Sequence, residues 1–162
     1  MSISKIISWP SLVVALVFTG AFQMVLAQED TEAMQPSLYD RLGGLPPISV
    51  VVSDFIDAIV PDAVLNANPA INAARKRVPA PYLKYHVTAL VCHATGGPCV
   101  YQGRGMKEAH AHLNITENEW QRMLTIFKDV LAKHSIATQE TQELVDIVES
   151  TKADIVLAQQ DN

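Results

Sequence analysis

Apolar residues recur at helical spacing along most of the chain. Behind Pro46-Pro47, the residues Ile48, Val51, Val52, Phe55, Ile56 and Ile59 keep one face of a helix, and Pro61 ends it. Val50-Val-Val52 has strand propensity, but the longer helical period outweighs it. From Leu65 to Val78 the pattern fades: Asn68-Pro69 predicts a turn, followed by a helical turn through Ala70 to Arg77. Pro79 and Pro81 then open a helix striped by Leu83, Val87, Leu90 and Val91, with His86 on the same face and Gly96-Gly97 at its end. In a short helix that follows, Met106, Ala109, His110 and Leu113 fall at i, i+3, i+4 and i+7, which turns His112 to the opposite side. Thr116-Glu-Asn-Glu119 is a capping box that launches Trp120, Met123, Leu124, Phe127 and Leu131. A last helix carries Leu144, Ile147, Val148, Thr151 and Ile155. Strand runs bounded by hairpin turns are missing, so the pattern predicts an all-α fold in which long helix pairs cross and enclose a ligand.

Composition sets the scale of that fold. The chain has 162 residues, of which 49% are hydrophobic, enough for one domain with a real core. A net charge of −5, with no Lys/Arg cluster on a predicted helix face, argues against nucleic acid or an anionic membrane as partner. Residues 1–27 read as an export signal: Lys5 gives the positive start, Leu12 to Phe18 the apolar region, and Val25-Leu-Ala27 the small-residue cleavage site. The uncharged run from Ile6 to Ala27 also has the length of an uncleaved anchor. Residues 28–36 are a polar, acidic lead-in, 37–157 form the domain and 158–162 a short tail. Export places the protein in the periplasm or outside the cell.

His110 is the residue with the most chemistry to offer. A neutral imidazole presented from an apolar helix face suits a haem iron, because the face that supplies the nitrogen also packs the porphyrin. A core histidine with a satisfied hydrogen bond is the competing reading of the same periodicity.

The ordered motifs Ser37-Leu-Tyr-Asp-Arg-Leu-Gly-Gly44, Gly96-Gly-Pro98 and Tyr101-x-Gly103-Arg104-x-Met106-Lys107-x-x-His110 resemble those of the group 1 truncated haemoglobins, over about Ser37 to Ile155. That resemblance implies a globin-like, truncated two-over-two helical sandwich holding haem b (iron protoporphyrin IX), with His110 as proximal iron ligand. It implies reversible binding of dioxygen or another diatomic gas by what is expected to be a monomer, supplied with electrons by an unspecified redox partner. Aligned on Gly96-Gly97 and Phe55, the chain places Ile56, Leu83 and Val87 where many relatives carry a tyrosine and glutamines that bond the bound gas. The usual donors are missing, which weighs against tight oxygen retention and leaves at most weak nitric oxide dioxygenase activity. His86, one residue before Val87, stands where some truncated haemoglobins bind the iron from the far side. Phe55, Ile56, Leu83, His86, Val87, Leu90, Met106 and His110 are the expected haem contacts, and Tyr82 and Tyr85 are expected to cover the pocket edge. His86 as a rim or core residue stays open.

Other chemistries compete with haem-gas binding. A hexacoordinate haem with distal His86 would suit sensing or electron transfer. Cys92-His93 lacks the cysteine at position 89 that covalent c-type attachment needs, because that residue is Ala89. A zinc or copper site from His86, His93, His110, His112 and the two cysteines has poor spacing, and a cofactor-free helical interaction module needs no site at all. Cys92 and Cys99, seven apart across a glycine turn, either pair in an oxidising compartment or remain thiols.

Overall fold

The computed structural model describes residues 35–156; the expected signal at 1–27, most of the lead-in and the tail at 158–162 lie outside them. Ser37 starts the first helix, α1 (Leu38–Arg41): its hydroxyl accepts from Asp40 N at 3.1 Å while the Asp40 carboxylate accepts from Ser37 N at 3.3 Å. Gly43 and Gly44 both take positive φ, 86° and 82°, and this left-handed pair turns the chain into α2 (Leu45–Ile59), with proline in its first turn. Asp62 caps α3 (Ala63–Asn66) through Leu65 N at 3.0 Å, and Asn68 caps α4 (Pro69–Arg77) through Ala70 N at 2.9 Å. The Asn68 amide also donates to Leu113 O at 3.0 Å, which ties this region to the far end of the fold.

α5 (Ala80–Ala94) and the five-residue α6 (Met106–His110) are joined by an irregular strap. α7 (Glu117–Lys133) begins as its capping box predicts, the Glu119 carboxylate accepting the Thr116 N–H at 2.7 Å. α8 (Thr138–Glu149) and α9 (Lys152–Ile155) complete the fold. α2 packs against both α5 and α7, α8 lies on α7 and α1, and α6 meets α9. No strand occurs among the described residues; Ile115 and Val156 form one isolated parallel bridge.

Two apolar clusters hold these helices. One joins Leu38, Phe127, Leu131, Leu144 and Val145; the other joins Ile48, Val52 and Ile56, with Leu83 and Val87 of α5 packed against it. Phe55 meets Phe127 edge to face at 5.4 Å, linking α2 to α7. The architecture is the all-α one that the pattern predicts, with three differences. α1 and α3, four residues each, are too short to show a period. The predicted turn at Asn68-Pro69 is a helix start, and α4 runs over nine residues. The predicted last helix is broken at Ser150 and Thr151, whose hydroxyls donate back to Ile147 O at 2.6 Å and Val148 O at 2.7 Å.

Candidate functional site: an apolar cavity lined by histidines

Between the α2–α7 wall and the α4–α6 wall lies a cavity of about 700 Å³. All eight expected contact residues line it. Phe55 and Ile56 come from α2, and Leu83, His86, Val87 and Leu90 from α5; Met106 and His110 come from α6. The cavity is lined mainly by apolar side chains and suits a bulky apolar occupant. Its volume falls within the roughly 300–1,000 Å³ of small-molecule and cofactor sites.

His110 is held in one orientation. Its Nδ1 lies 2.8 Å from Met106 O, one helical turn back, so Nδ1–H donates and Nε2 is left as the ring's basic nitrogen. Burial pushes the His110 pKa below the ordinary histidine value; the bond to Met106 opposes this, and the nearby His112 and Arg104 add to it. The ring is therefore neutral near pH 7, the form that binds metal. His112 does not follow the predicted opposite face: α6 stops at His110, the helical period stops with it, and exposed His112 borders the same cavity from the following turn.

His86 faces the cavity within a group of tyrosines. Its ring centroid lies 4.2 Å from Tyr82, 5.1 Å from Tyr85 and 6.4 Å from Tyr101. Tyr82 and Tyr101 border the cavity, while Tyr85 is 70% exposed. The hydroxyl of Tyr101 is engaged with Arg104 O at 2.9 Å.

The strap from α5 to α6 is pinned at its start. Cys92 and Cys99 form a disulfide with Cα atoms 5.7 Å apart, which settles the open pairing, and buried Cys92 anchors it to the fold. Gly97 passes so close to Tyr39 that a Cβ there would clash with the ring. Because the cysteines are bonded to each other, they are not available to the suggested zinc or copper site. Among the described residues no group of three or more His, Cys, Asp or Glu comes together, and His93 is turned to Cys99 O at 3.2 Å.

Several wall residues carry no sequence signal of their role. Trp120, 1% exposed, lines the cavity with its indole N–H unpartnered; its place in the α7 stripe reveals burial but not the cavity. Arg75 and Arg104 also border the opening, and the Arg75 guanidinium donates to Val60 O. Neither lies in a periodic apolar run.

The donor set fits haem: one neutral imidazole with a free Nε2 on an apolar wall, and a second histidine, His86, lining the same cavity. Comparison with known proteins agrees. The chain is 27% identical over 120 residues to the group 1 truncated hemoglobin GlbN of Nostoc sp., covering 74% of this chain and 97% of that relative. It is 23% identical over 122 residues to the group 1 truncated hemoglobin LI410 of Chlamydomonas moewusii, covering 74% of this chain and 68% of that relative. Its fold superposes on the truncated hemoglobin of Tetrahymena pyriformis in the Fe(III) form with a TM-score of 0.63 and 20% identity, covering 76% of this chain and 100% of that one. The 2/2 hemoglobin of Synechococcus sp. PCC 7002, in the cyanomet state with covalently attached heme, gives 0.63 and 22%, covering 75% and 98%. The family model of the bacterial-like globins matches residues 37–157, and the chain belongs to that family, with the two-over-two globin fold.

Proposed function

We propose a specific form of the haem-binding, gas-binding function that globin membership gives this chain: haem b bound in the apolar cavity, His110 as its proximal ligand, and His86 as a competitor for the far side of the iron. The observation that carries this reading is the orientation of His110, whose Nδ1 is fixed by Met106 O while Nε2 stays basic on the cavity wall. Bound haem supplies an iron centre that takes a diatomic gas when ferrous. Met106, Leu90 and Phe55 line the cavity and would pack against the haem, their apolar side chains favouring its burial. Ile56, Leu83 and Val87 would offer a bound gas no hydrogen bond, which weighs against tight retention of dioxygen. His86, on the same helix as Leu83 and Val87 and lining the same cavity, would be the residue to compete with gas for the iron once haem is bound.

Spectra of the ferric, ferrous and carbonmonoxy forms test this reading. The wild-type ferrous protein should be low-spin and six-coordinate. His86→Leu should make it five-coordinate and speed carbon monoxide binding. A wild-type ferrous protein that is already five-coordinate overturns the role of His86 and leaves it a rim residue.

Export belongs to the same proposal, and the Cys92–Cys99 disulfide supports an oxidising compartment. No helix among the described residues is long and apolar enough to cross a membrane. Mass spectrometry of the native protein should find a chain beginning at or near Gln28, and a main species retaining residues 1–27 contradicts cleavage.

A further inference from the structure

Charge is divided unevenly along this chain. Residues 71–110 contain six of its 12 cationic residues and one of its 17 acidic ones, a local balance of +5 that leaves −10 for the remainder of a chain whose net charge is −5. This cationic stretch is α4, α5, the strap and α6, the elements that carry His86 and His110. Most cations elsewhere are engaged by carboxylates: Arg41 with Glu140 and Glu143, Arg122 with Asp62, Lys133 with Asp54, Lys152 with Glu117. In the cationic stretch only Lys84 has such a partner, Asp57. Arg75 and Arg104 border the cavity opening, and exposed Lys76, Arg77 and Lys107 flank them in sequence.

The same region exposes aromatic surface. Tyr82 is 56% exposed and Tyr85 70%, both in ring contact with His86, and neighbouring Val100 is 74% exposed. Tyrosine and arginine are the residue types that anchor protein interfaces, and unpaired charge of one sign around them steers an oppositely charged partner.

We infer that the α4–α6 face docks an acidic one-electron donor protein, an iron–sulfur or flavin protein, at the edge of the haem cavity. The inference rests on the haem reading given above, which requires ferrous iron and therefore a reductant that reaches the cavity. In the step itself, one electron leaves the donor's centre and reduces ferric haem iron to ferrous; no atom or proton is transferred. A protein partner fits better than a lipid surface, because the cations are spread over α4, the strap and α6 and do not line the polar side of one amphipathic helix.

The test uses the haem-loaded chain and a reduced, acidic plant-type ferredoxin as probe. The second-order rate of haem reduction should fall steeply as salt is added, and the combined variant Lys76→Glu, Arg77→Glu, Lys107→Glu should lower it at least tenfold at low salt. Lys128→Glu, an exposed change on α7, should alter it less than twofold. Reduction by photoreduced lumiflavin, a small neutral donor, should be the same in all three proteins, which separates docking from damage to the haem site. As a readout independent of electron transfer, the anisotropy of labelled oxidised ferredoxin should report binding that weakens at least tenfold in the triple variant. A haem-loaded chain whose ferredoxin reduction ignores salt and the charge reversal overturns the docking face while haem binding stands. A chain that takes up no haem overturns the cavity reading and electron delivery together, a result that its spectrum reports before any partner is added. If phosphatidylserine vesicles sediment the chain in a manner sensitive to the triple variant, while ferredoxin reduction is insensitive to it, the face is a membrane surface and the inference falls.

Discussion

The two walls of the cavity are built on different terms. The α2–α7 wall contributes Ile48, Val52, Ile56, Trp120, Leu124, Phe127 and Leu131, all buried, and is knitted by the Phe55–Phe127 contact. In the α4–α6 wall Cys92 is the only buried residue of the three helices, and α4 and α6 bury none completely. Yet the second wall holds His86 and His110, the tyrosines around His86 and the cations without a carboxylate partner. Stability and chemistry are thus divided: the α2–α7 wall is the more deeply buried, while α5 joins it through Leu83, Val87 and Val91 and α4 and α6 bury no residue completely.

That division predicts unequal responses to damage. The largest effect should come from the first wall: Leu131→Ala, at a fully buried position, should cost about 2–5 kcal/mol in chemical denaturation. A cost well below 1 kcal/mol would mean that this wall is no tighter than the other. Breaking the Cys92–Cys99 bridge with Cys92→Ser and Cys99→Ser should cost about 2.5 kcal/mol on the chain-entropy model for so short a loop. Amide exchange should then accelerate in the strap and in the end of α5, and hardly at all in α7; uniform acceleration would contradict a division between the walls.

Acid should act next, and also on the second wall. The folded pKa of His110 lies below its unfolded value of about 6.5 because the ring is buried. Below that pH the unfolded chain takes up a proton before the native one does, so this group's contribution to stability is complete above pH 6.5 and declines as pH falls toward the folded pKa. Protonation also removes the Nε2 lone pair, so haem release should quicken as pH falls through the folded pKa of His110. Release that is flat between pH 7 and pH 5 (roughly the span of histidine titration) would disconnect His110 from haem retention. The smallest effect is expected at the surface pair joining the walls, Lys84 to Asp57 at 2.7 Å: Lys84→Ala should cost less than about 1 kcal/mol and leave the haem spectrum unchanged.

The same division decided what the sequence reveals. The first wall is periodic, and α2 and α7 are readable from their stripes, the proline start and the Thr116–Glu119 box. On the second wall, His86, Leu83, Val87, Met106 and His110 are readable because they lie on α5 and α6, whose stripes face the cavity. Tyr101, Arg104 and the disulfide lie on or bound an irregular strap, where no period links sequence position to direction. The helical period misplaces His112 for the same reason, because α6 ends two residues before it. Trp120 shows the opposite failure, since burial in a stripe does not distinguish a core contact from a cavity wall.

The central claim is that His110 holds haem in this cavity, and haem titration of apoprotein followed by absorbance tests it most directly. The wild type should bind stoichiometric haem and show an imidazole-ligated spectrum. His110→Ala should lose or greatly weaken that binding, while His112→Ala, two residues away in the turn after α6, should retain it. Equal haem content and the same axial-ligand spectrum in wild type and His110→Ala would contradict the account.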